Sequence, residues 1–205
     1  MKNQITGVVL AGGLGRRMGN VDKGLQEMDG RPLAARAAAR LAPQVDELLI
    51  NANRNEDAYA AFGYPVIRDE LQGFAGPLAG LHTALAHARH PLVATVPCDS
   101  PFLPNDLVSR LSAALSSAGA TIAVARSAGR IHPVFCLCRR VVLPALHLAI
   151  ERSELRFERW IRAQHYVEVD FDDQPSAFSN INTPEELAGM EREIQREIQA
   201  RVSLS

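Results

Sequence analysis

Short apolar runs alternate with longer stretches in which apolar residues recur every three or four positions through the first half of the chain. Ile5 to Ala11, Glu47 to Ala52, Pro65 to Arg68 and Pro91 to Pro97 have the length and composition of strands. Between them, Arg31 to Ala42, Asn55 to Phe62, Gly76 to Arg89 and Pro104 to Leu115 carry helical spacing, the last started by Pro104 and Asn105. Nearly continuous apolar strands are those covered on both faces, and their alternation with helices is the rhythm of a mostly parallel sheet. The pattern predicts a three-layer α/β/α sandwich.

Later the rhythm changes. "ATIAVAR" (120 to 126) and "IHPVFCLC" (131 to 138) flank Ser127-Ala128-Gly129-Arg130, a hairpin signal that makes part of the later sheet antiparallel and suggests a second lobe. Near the end, Thr183 as N-cap, Pro184 at the first helical position and Glu186 three residues after the cap announce a helix. Its stripe of Leu187, Met190, Ile194 and Ile198 is the docking face, and Glu191, Arg192, Glu193, Arg196 and Glu197 form a solvated one.

Composition narrows the function. At 205 residues the chain suits one sizeable domain, and 47% hydrophobic residues support a real core. With 22 basic against 23 acidic residues, nothing global attracts nucleic acid or a membrane surface, so an anion site must be local. No apolar stretch approaches the roughly 18 residues of a membrane span. Met1-Lys2-Asn3-Gln4 enters a strand too early for a secretory leader, and the expected location is the cytoplasm. Three cysteines make no disulfide framework; Cys136 and Cys138 share a strand face and read as small buried hydrophobes. His82 and His87, five apart, miss the i, i+4 face of paired metal ligands.

A local anion site is written into "GVVLAGGLGRRMGNVDKGL" (7 to 25), a strand that ends in glycines, two arginines and a lysine. Glycines let backbone N–H groups close on a polyphosphate, and cationic side chains neutralise it. It is not a Walker loop, because Lys23 lies between Asp22 and Gly24, and it is not a dinucleotide fingerprint, because Gly19 follows Gly15 one residue late. Arg16 and Arg17 diverge as adjacent side chains, so one of the pair is expected to face phosphate. Asp22 reads as a surface or loop-capping residue. In "LVATVPCDSPFLP" a buried strand runs into Asp99, a hard oxygen ligand at the edge where open α/β sheets bind ligands, and so a candidate for Mg²⁺. Cys98 beside it has no base in sequence and reads as packing.

Five strings in order, "LAGGLGRRMGNVDK" (10 to 23), "NANR" (51 to 54), "GPLAG" (76 to 80), "PCDSPFLP" (97 to 104) and "NINTPEEL" (180 to 187), resemble the molybdenum cofactor guanylyltransferase family. Gly15 departs from the Ser or Ala more usual there, and Ala120 to Phe178 matches only diffusely. The resemblance implies a single Rossmann-like nucleotidyltransferase domain, with a nucleotide-binding lobe (1–115) and an acceptor-binding lobe (116–205). It implies transfer of GMP from GTP to molybdopterin with release of pyrophosphate, dependent on Mg²⁺. Carried over by position, Leu10, Ala11, Gly12, Lys23, Asn51, Asp69 and Asp99 bind GTP, and Asp99 also holds the metal. Gly13 and Arg17 act with Lys23 and Asp99 at the reacting phosphates, and Asn180 and Asn182 face the pterin. Molybdoenzymes or their chaperones are the implied recipients of the product.

The acceptor, a phosphate monoester with a second pKa near 6, is already an anionic nucleophile at neutral pH, which accounts for a sequence with no evident Ser/His/Asp or Cys/His constellation. Three other readings stay open: a cytidylyltransferase of the same cofactor, a sugar-phosphate nucleotidyltransferase, and a non-catalytic GTP-binding or cofactor-delivery module. "LAGG" favours the guanylyl form over the cytidylyl one, and retention of Lys23, Arg17 and Asp99 argues against the last.

Overall fold

The computed structural model describes residues 4–11, 22–71 and 76–179. In chain order the elements are β1 (Ile5–Leu10), β2 (Glu27–Met28), β3 (Arg31–Pro32), α1 (Leu33–Leu41), β4 (Glu47–Asn51), α2 (Glu56–Ala60), β5 (Val66–Ile67), α3 (Pro77–His87), β6 (Leu92–Pro97), α4 (Leu107–Ser117), β7 (Ile122–Ser127), β8 (Arg130–Arg139), α5 (Leu143–Glu151), α6 (Phe157–Arg162) and β9 (Tyr166–Asp170). Seven strands form one sheet in the order β5-β4-β1-β6-β8-β7-β9, and β2 and β3 pair as a separate small hairpin.

The sheet is sandwiched as its apolar pattern requires. Side chains of successive strand residues point to opposite faces, so Ile5 and Val9 enter a core with α1, α4 and Tyr59 of α2, while Val8 and Leu10 enter a second core with α3, α5 and α6. Both faces are covered, which gives the three layers. Only β8 runs against the others: β6 and β7 pair with it antiparallel, whereas β4, β1 and β6 are mutually parallel and β9 is parallel to β7. The register Asn51↔Leu10↔Pro97 aligns the carboxyl ends of β4, β1 and β6 along one edge.

The β7–β8 hairpin forms where expected, through Ala128 (φ 49°) and Gly129 (φ 74°), the two positive φ values of a type I′ turn. Ala128 is held in that conformation by donating its N–H to Asp172 at 2.7 Å.

Two boundaries differ from the pattern. The segment from Arg31 begins as strand and becomes helix at Leu33, because Arg31 pairs with Met28 across an Asp29-Gly30 turn. The α4 helix starts at Leu107, not at Pro104-Asn105. The Leu103 carbonyl is bonded outward, to Arg40 Nε (2.8 Å), the Pro104 carbonyl accepts Gln44 Nε2 (2.9 Å) as well as the Leu107 N–H (3.3 Å), and Gln44 Oε1 accepts the N–H of Val108 in the first turn. A side chain from another element thus caps α4. The expected helix after Thr183 lies outside the described residues. No helix among those described is long and apolar enough to cross a membrane.

Candidate active site

Leu10 and Ala11, at the end of β1, are fixed from both sides: Ala11 N–H donates to the Asn51 carbonyl at 2.8 Å, and Cys98 N–H donates to that of Leu10 at 3.1 Å. On the β4 side the Asn51 amide is buried and donates to Asp69 Oδ1 (2.9 Å) and the Ile67 carbonyl (3.3 Å). Asn53 Nδ2 donates to the other Asp69 oxygen (2.8 Å), and Asp69 N–H returns to Asn53 Oδ1 (2.8 Å). One carboxylate therefore gathers both asparagines into a polar rim. Gly80 of α3 backs this rim so closely that a Cβ there would lie 2.5 Å from Asn51 Oδ1. The sequence strings contain Asn51, Asn53 and Gly80, while Asp69 was named only by what the resemblance implies; that Asn53 shares the Asp69 carboxylate was not legible.

On the β6 side stands Asp99, 9% exposed. Burial pushes its carboxyl up from the ordinary value, opposed by the Lys23 ammonium and a backbone N–H. Lys23 Nζ lies 3.5 Å from Asp99 Oδ2, so two residues from distant strings meet on the ligand edge as an ion pair. Lys23 opens a 3-10 turn (Lys23–Leu25) that Asp22 caps by accepting the Gly24 N–H at 3.2 Å. The loop-capping reading of Asp22 holds, but the residue is also bound from α2, by Tyr59 Oη (2.5 Å) and by Asn55 Nδ2 (3.0 Å) just before that helix.

Cys98 is buried and its thiol is pushed well up by that burial and by Asp99, which makes it a packing residue. Cys136 and Cys138 are likewise buried, their sulfurs 3.7 Å apart. The structure does bring together a serine and a histidine that are adjacent only in the hairpin: Ser127 Oγ is 2.8 Å from His132 Nε2, and the His132 ring stacks on Phe178 with centroids 4.7 Å apart. Ser127 is 2% exposed, and burial and Arg130 lower the His132 pKa, so the pair is a packed hydrogen bond and not an exposed nucleophile.

Among the described residues no group of three or more His, Cys, Asp or Glu is arranged to hold a metal ion. Mg²⁺ is commonly held by one or two carboxylates together with substrate phosphates. A single buried, incompletely compensated carboxylate at Asp99 fits that mode, and does not fit an all-protein cage. Gly12, Gly13, Arg17, Asn180 and Asn182 lie outside the described residues.

The carboxylate–lysine pair and the Asn/Asp rim lie along the carboxyl edge, where open α/β sheets bind their ligands. The chain belongs to the MobA-like NTP transferase domain family, which matches residues 7–169. It is 45% identical over 186 residues to the molybdenum cofactor guanylyltransferase of Shewanella loihica, covering 91% of this chain and 95% of that one. To the molybdenum cofactor guanylyltransferase of Ralstonia nicotianae it is 47% identical over 194 residues, covering 90% and 95%. In fold it is similar to molybdopterin-guanine dinucleotide biosynthesis protein A of Archaeoglobus fulgidus, with a TM-score of 0.78 and 22% identity over 93% of this chain and 99% of that one.

Proposed function

We propose that this protein is a molybdenum cofactor guanylyltransferase: it transfers the GMP moiety of GTP to the terminal phosphate of molybdopterin, forming the guanine dinucleotide cofactor and releasing pyrophosphate. The observation that carries the reading is the Lys23–Asp99 pair on the ligand edge, in a chain 45% and 47% identical over nine-tenths of its length to proteins of that name.

The Asn51, Asn53 and Asp69 rim faces the guanine, and Leu10 and Ala11 at the end of β1 bind the nucleotide, a role that Gly12 shares. A phosphate oxygen of molybdopterin attacks the α-phosphorus; the bond from that phosphorus to the bridging oxygen breaks, and pyrophosphate leaves with the electron pair. Lys23 and Arg17 neutralise charge on the reacting phosphates and Gly13 lets the backbone approach them, so catalysis rests on alignment and electrostatics. Asp99 is the residue to hold Mg²⁺, which when bound supplies further positive charge to the phosphates. The acceptor is ionised at neutral pH and needs no protein base, in keeping with a site where Cys98 and Ser127 are both buried. The pterin side falls to Asn180 and Asn182, within an acceptor lobe of residues 116–205 whose first strands, β7 and β8, continue the sheet beyond β6. Molybdoenzymes or their chaperones take the product.

The test is pyrophosphate release with GTP, Mg²⁺ and molybdopterin together. Release is expected only with all three present; none under these conditions, or equal release without molybdopterin, contradicts the reading.

A further inference from the structure

We infer that Tyr59 is a positioning residue for Lys23, acting through Asp22. The side chain is wholly buried in α2 and is the largest such side chain among the described residues. Its ring packs edge-on to Phe62, centroids 5.8 Å apart, a contact that a phenylalanine would make as well. What needs a reason is the hydroxyl, since a buried O–H is kept only where it has a partner.

That partner is Asp22. Tyr59 Oη donates to Asp22 Oδ1 at 2.5 Å, the Gly24 N–H donates to the same oxygen at 3.2 Å, and Asn55 Nδ2 donates to Oδ2 at 3.0 Å. Three donors on one carboxylate are charge-assisted hydrogen bonds, the strong kind. Two of them arrive from α2 and its cap, and the third from the peptide immediately after Lys23. The Asp22 side chain therefore bridges over Lys23 and ties the backbone on both sides of it to α2. Two further bonds close the turn, Leu25 N–H to the Asp22 carbonyl and Gln26 N–H to the Lys23 carbonyl, each 3.2 Å.

Gly24 shows how tightly the phenol is set against this turn, because a Cβ there would lie 2.4 Å from Tyr59 Oη. Lysine carries its charge on a flexible four-carbon stem, and only the base of that stem can be fixed by backbone. The Tyr59–Asp22 clamp fixes it, and the ammonium then reaches 3.5 Å from Asp99 on the sheet edge.

The inference rests on the proposed role of Lys23 at the phosphates, and its test uses binding so that it can be read apart from turnover. GTP and guanosine affinities are measured by calorimetry, with Mg²⁺, for the wild type, Tyr59→Phe, Lys23→Ala and the double variant. Tyr59→Phe is expected to weaken GTP about 5- to 10-fold, leave guanosine unchanged, and have no further effect in the Lys23→Ala background. Equal loss in both backgrounds, parallel loss of guanosine, or no loss of GTP overturns it. Asp22→Ala, at a partly exposed position, removes the acceptor of all three donors; it must show the same non-additive loss with Lys23→Ala if the clamp is real, even should Tyr59→Phe melt early. A wild type that binds GTP but releases no pyrophosphate with molybdopterin present would remove the transferase reading and leave this cycle interpretable.

Discussion

Gly80 has no side chain because Asn51 occupies the space one would fill. A Cβ would approach Asn51 Oδ1 to 2.5 Å and Leu10 Cδ2 to 3.1 Å, so Gly80→Ala must push the amide off Asp69 or shift the end of β1. The expected result is a loss of GTP affinity of about 10-fold with the fold retained; calorimetry together with a melting curve checks it, and unchanged affinity would mean that Asn51 does not meet the base. Asp99→Asn keeps the volume and removes the charge that Mg²⁺ requires, and we expect transfer to fall by about 100-fold or more at an unchanged melting temperature. Near-normal turnover would remove Asp99 from the reaction. At this scale the sequence was informative where one residue type carries one chemistry: Lys23 among glycines, Asp99 at the end of a strand. It was silent where function depends on a shared partner. Tyr59 reads in sequence as one more apolar helix residue, and nothing local says that its hydroxyl closes on a carboxylate 37 positions away.

Helix α3 carries Gly80 on its first turns and His82 on the face toward α5. His82 is 7% exposed; its Nε2 lies 3.1 Å from His147 Nδ1, and its Nδ1 has no hydrogen-bond partner. Burial, then His147, lower the His82 pKa, against opposing fields from Glu70 and Asp69, and His147 itself faces Glu151 at 3.4 Å. The unfolded chain, with an ordinary histidine near 6.5, therefore binds the proton more readily than the folded one. Stability from this site is complete above about pH 6.5 and is lost as pH falls through the lower folded value. Melting temperature should drop between about pH 7.5 and pH 5.5, and His82→Leu should reduce that drop while stabilising the protein by about 1 kcal/mol at the higher pH by removing the orphaned nitrogen. A drop of the same size in His82→Leu would exclude His82 as its source, leaving groups such as His132, whose pKa is lowered in the same direction.

Elements of the first half were legible because their periodicity is strong, and β1, β4, α3 and β6 fall where the pattern puts them. The start of α4 was misplaced because its cap comes from Gln44, more than sixty positions away, and no local signal reports such a bond. The β2–β3 hairpin did have a signal, Asp29-Gly30, immediately before the stretch from Arg31 that carries helical spacing. In the half between Ala120 and Phe178 the hairpin was visible, but α5, α6 and the parallel strand β9 were not, because their apolar positions follow no clean period.

For the molecule as a whole, a net charge of −1 leaves binding to local groups. The sheet brings them together: one edge collects the ends of β4, β1 and β6, and with them the Asn51–Asp69 rim and the Lys23–Asp99 pair. In the proposed role, a rim made of the buried Asn51 amide and the half-buried Asn53 and Asp69 discriminates bases by leaving its own groups unpaired with the wrong one, which is worth about 100-fold or more. In competition GTP should therefore be incorporated about 100 times better than CTP, and equal incorporation would point to the cytidylyl counterpart. The central claim, transfer of GMP from GTP to molybdopterin, is tested most directly by following phosphorus. With GTP labelled at the α-phosphate, the dinucleotide product should carry the label; with GTP labelled at the γ-phosphate, the label should appear only in pyrophosphate. A product labelled from the γ-phosphate, or no labelled product while GTP is bound, would contradict it.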